Sequence, residues 1–129
     1  MTFNNKCSGQ GPFVVLVKVQ SNKIYGGYNP IGYQSRKWKW LTSSNSFIFS
    51  FENDQDIHDM KIGRVINESR AILEDEGCNW YFFSFGNHLY INDQNLRILN
   101  VGNYNHVFDF KKKTDLPIEE IEVFSVVKR

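Results

Sequence analysis

"PFVVLVKVQSNKIYGGYNP", Pro12–Pro30, decides the fold class. Pro12–Val19 is a β-branched, apolar run of strand length, consistent with a central strand. "QSN" interrupts it with turn chemistry, and "KIYGGY" resumes the apolar pattern. Two such runs across a short polar link read as an antiparallel hairpin. Gly26-Gly27 suggests a bulge or close backbone packing at the strand end. Asn29-Pro30 then breaks the strand. Extended to Tyr33, the segment is glycine-rich enough to raise the question of a phosphate loop. It fails the test. A P-loop needs Gly-x4-Gly-Lys-Ser/Thr, and a dinucleotide loop needs three glycines opening a helix. Pro30 and Gly32 argue against any helix here, so the segment reads as a bulge and a turn.

Working outward, the same alternation recurs. "SFIFSF", Ser46–Phe51, and "MKIGRVIN", Met60–Asn67, read as strands, the second weaker. "HLYI" and "LRIL" flank Asn92-Asp93-Gln94-Asn95, a second hairpin. "YNHVFDF", Tyr104–Phe110, alternates again, and "IEEIEVFSV", Ile118–Val126, reads as a final strand with one charged face. Between them, Gln34–Ser46, Glu52–Asp59 and Lys111–Pro117 read as loops. "ESRAILEDEG" has some helical character, with Ser69 as a cap and Gly77 as a stop. Strands outnumber helices. The expected fold is mainly β (α+β): a two-sheet antiparallel β-sandwich with short peripheral helices.

The totals bound the function. The 129 residues suffice for one domain with one core. Eleven Phe, six Tyr and three Trp favour packed strands over disorder. A net charge of +1 gives no electrostatic case for nucleic acid or an anionic membrane. No apolar run approaches the ~20 residues of a spanning helix, so direct membrane insertion is not expected. The polar start "MTFNNKCSGQ", read as an intact N-terminus, predicts a cytoplasmic or nuclear protein. There Cys7 and Cys78 are free thiols. Asn67-Glu68-Ser69 fits the glycosylation pattern, and in that compartment the match is chance.

Few constellations point to chemistry. His58, His88 and His106 each stand alone in their segments, so a Cys78–His88–His106 metal site would need the fold to gather it. Ordinary surface or hydrogen-bonded histidines are the simpler reading, and no metal or cofactor is expected. "FSFG", Phe83–Gly86, lacks the first glycine of a nucleophile elbow. Glu119, Glu120 and Glu122 form a carboxylate cluster. In an extended strand Glu120 and Glu122 share one face and Glu119 points to the other. They read as a solvated face or an acidic docking surface rather than an acid–base pair. Lys111–Lys113 is too short for a nucleic-acid patch. Trp38 and Trp40 lie beside Arg36, Lys37 and Lys39. They either cap the core or supply a protein-binding hot spot.

Taken in order, "KCSGQGPFVVLVKV", "KIYGGYNPIGY", "SFIFSF" and "FSFGNHLYI" resemble successive signatures of the TLDc domain, and "IEEIEVFSV" resembles its closing strand. The resemblance covers essentially the whole chain. It is carried by Gly26, Gly27, Tyr28, Asn29, Pro30, Ser46, Phe47, Phe49, Phe85, Gly86 and Leu89, which it implies are mainly structural. Two departures stand out. Tyr33 replaces the usual Trp, and family members begin further upstream, with a first strand and a helix, so the chain resembles an N-terminally truncated single domain. The resemblance implies a two-sheet sandwich and a non-catalytic protein-interaction module. It also implies a link to oxidative-stress resistance and binding to the vacuolar-type proton-pumping ATPase (V-ATPase). It supplies no catalytic residues. Two alternatives stay open: a thiol-dependent antioxidant or other enzyme using Cys7 or Cys78, and a degenerate fragment without independent function. The oligomeric state is left open.

Overall fold

The computed structural model describes residues 11–32, 39–52, 60–74, 84–92, 94–108 and 112–126. The strands are β1 (Phe13–Val19), β2 (Ile24–Asn29), β3 (Lys39–Leu41), β4 (Phe47–Phe51), β5 (Lys61–Arg64), β6 (Ile72–Glu74), β7 (Ser84–Phe85), β8 (Leu89–Asn92), β9 (Asn95–Ile98) and β10 (Thr114–Ser125). Eight of them hydrogen-bond in the order β5-β4-β2-β1-β10-β9-β8-β7, every pair antiparallel, and β3 and β6 form a separate ribbon. The fold is mainly β, as the alternation predicts.

The two layers of the expected sandwich are two halves of this one sheet, joined at β10. Its first residues, Thr114–Pro117, pair with β9, and its later ones, Ile118–Ser125, pair with β1. A strand that serves two sheets in succession makes the corner of a folded-over sheet. The halves share one core. Val15 and Val17 of β1 are fully buried in the same cluster as Leu89 and Ile91 of β8 and Leu96 and Ile98 of β9. Each such side chain contributes about 1.5–3 kcal/mol of transfer free energy.

The glycine pair explains how the layers approach. The β1–β2 register runs unbroken, with Gly27 opposite Val15 and Gly26 opposite Leu16. The expected bulge is therefore absent at the glycines, and close packing takes its place. On the inner face, a Cβ on Gly27 would lie 2.5 Å from the Phe85 ring of β7. On the outer face, a Cβ on Gly26 would strike the Val15 carbonyl oxygen and lie 2.6 Å from the Phe49 ring of β4. Each glycine clears a berth for one ring, on opposite sides of the sheet. The same logic governs "SFIFSF": Ile48 and Ser50 are buried inward while Phe47, Phe49 and Phe51 line the outer face. Tyr28, Phe47, Phe49 and Phe51 follow one another there with ring centroids 5.4–6.1 Å apart. Asn29 ends β2 as expected: its Oδ1 accepts from the N–H groups of Ile31 (2.9 Å) and Gly32 (3.1 Å), and Pro30 follows it out of the ladder.

Several expectations are corrected. The stretch read as a loop up to Ser46 contains β3, which pairs with β6. In "ESRAILEDEG" the described residues form a 3-10 turn, Glu68–Arg70, and then β6, and the expected stop at Gly77 lies outside the described residues. Ser69 does not cap it; its hydroxyl donates to Asn67 Oδ1 at 2.9 Å. Ile72 is 1% exposed and forms part of the core, which favours the strand over a longer helix. β10 begins at Thr114, inside the expected Lys111–Pro117 loop, because Asp115 and Leu116 complete the ladder to β9. The described part of "YNHVFDF", residues 104–108, alternates without being a strand, and Asp109 and Phe110 lie outside the described residues. Among the described residues it makes one β-bridge, Tyr104–Val65, and is held by its side chains.

Candidate functional site

The described candidates fall in three places. The first is the aromatic surface at the β3–β6 ribbon. Trp40 lies opposite Leu73 in that ribbon and is half-buried, so it presents part of its ring surface. The expected cationic neighbours come from its own loop. The observed one is Arg70, whose guanidinium sits 5.3 Å from the Trp40 ring centroid, a cation–π arrangement. The turn at Glu68–Arg70 places it, and is itself held by the Ser43 N–H donating to the Glu68 carbonyl at 3.0 Å. Trp40 and Arg70 border a shallow depression of about 330 Å³, with Asn67, Asn87, Val101 and Asn103 around it. Asn87 adopts a left-handed backbone (φ 57°) just after Gly86 (φ 62°). A Cβ on Gly86 would fall 2.8 Å from the Arg70 carbonyl oxygen. Gly86 thus sets the wall of this depression as well as the turn into β8. Trp38, with Arg36 and Lys37, lies outside the described residues.

The second is the acidic strand. Glu120 lies opposite Lys18 and Glu122 opposite Leu16, so the two share the outer face. The register shifts between Lys18 and Val19, whose partners are Glu120 and Ile118. Glu119 is therefore the extra residue of a bulge. All three carboxylates are exposed. Their charged forms keep their water, which suits a docking or solvated face.

The third is a pair of histidines that the sequence places far apart. His88 Nε2 and His106 Nδ1 are 2.9 Å from each other. His88 is completely buried, and its Nδ1 has no hydrogen-bond partner among the described residues. The single proton of the neutral ring therefore belongs on Nε2, which donates to His106. Burial pushes the His88 pKa down to about 4, with the neighbouring His106 adding to the effect. Tyr104 and Phe108 flank the pair, with centroids 6.3 Å from His88. The Tyr104 hydroxyl lies 2.7 Å from the Ala71 carbonyl and 2.9 Å from Ser46 Oγ. A carbonyl only accepts, so the phenol's proton goes to Ala71 and the Ser46 hydroxyl donates back. Burial raises the Tyr104 pKa above its ordinary value. A neutral imidazole and a neutral phenol sealed in the core serve packing better than proton transfer to a ligand. Among the described residues no group of three His, Cys, Asp or Glu is placed to hold a metal ion.

Of the family-signature positions, Ser46, Phe85, Gly86 and Leu89 are buried. Asn29 caps its turn, Gly26 and Gly27 seat rings, and Tyr28, Phe47 and Phe49 line the outer face. Cys7, Cys78 and His58 lie outside the described residues. Sequence reasoning missed the His88–His106 contact and the Arg70 stack. The alternation that brings Tyr104, His106 and Phe108 to one side was a signal for the first; nothing local signalled the second. Among the described residues no helix is long and apolar enough to cross a membrane.

The TLDc domain family model matches residues 1–127. No curated protein matches the chain. A family match over nearly the whole length, on a mainly β fold, is decisive: the chain belongs to the TLDc domain family.

Proposed function

We propose that this TLDc chain is a non-catalytic protein-interaction module of oxidative-stress resistance that docks on the V-ATPase through the Trp40 surface. The observation that carries the docking site is the stacked Trp40–Arg70 pair at the rim of a polar-walled depression. Trp and Arg are the side chains most enriched at binding hot spots, and a hot spot needs partial enclosure such as this depression supplies. The identity of the partner comes from the family resemblance.

The test is direct binding of purified soluble V-ATPase subunits to the immobilised full chain. Wild type is expected to bind. Trp40→Ala and Arg70→Glu are expected to weaken binding at least tenfold, which corresponds to about 1.4 kcal/mol, while the melting temperature of Arg70→Glu stays near wild type. No binding by wild type would end the V-ATPase reading. Full binding by both variants would move the contact away from Trp40.

A further inference from the structure

The depression beside Trp40 offers a ligand a particular set of polar atoms. Asn67 and Asn87 both border it. The Asn67 Oδ1 accepts from the Ser69 hydroxyl at 2.9 Å, and the Asn87 Oδ1 accepts from the Ser84 hydroxyl at 2.9 Å. The Ser84 Oγ also accepts from the Asn87 N–H at 3.2 Å, which ties that side chain to its own turn. With their oxygens engaged, these two amides have their Nδ2 hydrogens left to give. Asn103 is engaged the other way, its Nδ2 donating to the Gly86 carbonyl at 2.8 Å. Arg70 adds a guanidinium, a group made only of donors. It lies over the Trp40 ring and is exposed. Among the described residues that border the depression none is acidic, and Glu68 of the same turn does not reach it. The apolar part of the rim is the half-buried Trp40 and Val101, which is 48% exposed.

A donor-rich site around one cation is complementary to an anion, and charge decides which anion. A phosphate carries about −1.5 to −2 and three acceptor oxygens, more than one guanidinium balances. A carboxylate carries one charge on two oxygens and accepts the planar fork of an arginine bidentately. The ring of Trp40 holds the Arg70 plane by a cation–π contact, which leaves the edge of the guanidinium for the ligand. The apolar rim adds a second requirement, because an occupant that covers Val101 and Trp40 needs an apolar group beside its charge. We propose that the depression is a carboxylate-binding pocket, in which Arg70 and the amides of Asn67 and Asn87 receive a Glu or Asp side chain of the partner protein while an apolar neighbour in that chain covers Val101. The inference rests on the reading of this surface as the docking site and adds the chemistry that the partner must present there.

Titration of the full chain with short capped peptides, followed by NMR at the Trp40 indole and at the Asn67 and Asn87 side-chain amides, tests it. The probes are acetyl-Leu-Glu-Leu-amide, its Gln counterpart and its phosphoserine counterpart. The Glu peptide is expected to shift those three groups saturably and to bind about tenfold more tightly than the Gln peptide. Raising the salt is expected to shrink that advantage, since an exposed charge pair is screened. Arg70→Gln is expected to erase the advantage while leaving the weaker binding of the Gln peptide unchanged, an outcome that a defect of folding would not produce. Asn67→Ala, at an exposed position, is expected to reduce it by a smaller factor. Equal binding of the Glu and Gln peptides, or no saturable shift with the Glu peptide, would overturn the proposal. So would an Arg70→Gln chain that keeps its preference for Glu. Tightest binding of the phosphoserine peptide would replace the carboxylate by a phosphorylated partner. The V-ATPase experiment fails separately. Subunits that bind through Trp40, beside peptides bound without regard to charge, would overturn only the carboxylate. A Glu-selective pocket, beside subunits that do not bind, would overturn only the identity of the partner.

Discussion

β2, residues 24–29, and the segment 103–108 are alike in length and both contribute to the core, yet they are held in opposite ways. β2 lies between β1 and β4 and spends its backbone groups on two continuous ladders. Segment 103–108 has scattered backbone bonds. The Asn103 carbonyl accepts from the N–H groups of Ile66 and Asn67, and the Asn105 N–H donates to the Arg64 carbonyl. Its place is fixed by side chains: Asn103 Nδ2 on the Gly86 carbonyl at 2.8 Å, Tyr104 on Ser46 and Ala71, His106 on His88, and Phe108 edge-on to Tyr25 at 5.2 Å. A strand is specified by a pattern along the chain, whereas a segment of the second kind is specified by the partners it happens to reach. Substitutions in the two should therefore fail differently.

The largest effects belong to β2. Gly26→Ala and Gly27→Ala both overpack the core, a class that costs about 1–3 kcal/mol and occasionally more. The two should part company on rescue. The obstacle at Gly27 is the Phe85 ring, so Phe85→Leu is expected to recover much of the stability lost in Gly27→Ala. The obstacle at Gly26 includes the Val15 carbonyl oxygen, which is backbone. Phe49→Leu is expected to recover little, and Gly26→Ala should be the most damaging single change in the set. Thermal unfolding of the four variants and two doubles decides this. Equal rescue at both positions would show that the backbone contact at Gly26 yields, and that the two berths are equivalent.

The same contrast explains what could be read in advance. The hairpins β1–β2 and β8–β9, the strand β4 and the break at Asn29-Pro30 rest on local pattern and turn chemistry, and they were legible. The role of Gly26-Gly27 was legible only as a choice between bulge and close packing. The choice depended on where Phe49 and Phe85 fall, and those rings are distant in sequence. β3 and β6 were illegible because each is three residues long and exists only by pairing with the other. The start of β10 was hidden by Asp115 and Pro117, which have loop-like composition but complete a ladder to β9. Of the candidate site, Trp40 was visible as a hot-spot residue, while its cation, Arg70, arrives from another segment. The histidines looked isolated because eighteen residues separate them.

The second prediction concerns that histidine pair. His88 has a folded pKa near 4, below the ordinary 6.5 of an exposed or unfolded histidine. Between those values the unfolded chain binds a proton that the folded chain does not. Stability from this group is therefore fully present above about pH 6.5 and is lost as the pH falls toward 4. The full loss is on the order of 3 kcal/mol, and a good part of it has accrued by pH 5. Melting temperature measured from pH 7.5 to 5 is expected to drop in wild type and to drop less in His88→Gln, which keeps a hydrogen-bonding side chain but cannot titrate. Identical slopes would show that His88 takes up its proton without cost in the folded state, and that segment 103–108 does not depend on a neutral His88.

The smallest expected effect isolates one bond of that segment. Tyr104→Phe keeps the ring, and with it the edge contact to Phe85 at 6.5 Å, but removes the hydroxyl. The Ala71 carbonyl then loses its donor and Ser46 its acceptor, both in buried surroundings. Leaving buried polar groups unpaired costs about 1–3 kcal/mol, and the Ser46 hydroxyl can rotate to spare part of it, so the lower end is expected. Adding Ser46→Ala to Tyr104→Phe should then cost little more than Tyr104→Phe alone, because the hydroxyl it removes already lacks its partner. Additive losses in that double-mutant cycle would mean that Ser46 supports the start of β4 independently of Tyr104. Segment 103–108 would then hang on its aromatic contacts and on Asn103, and the phenol would not be the anchor that ties it to the first layer.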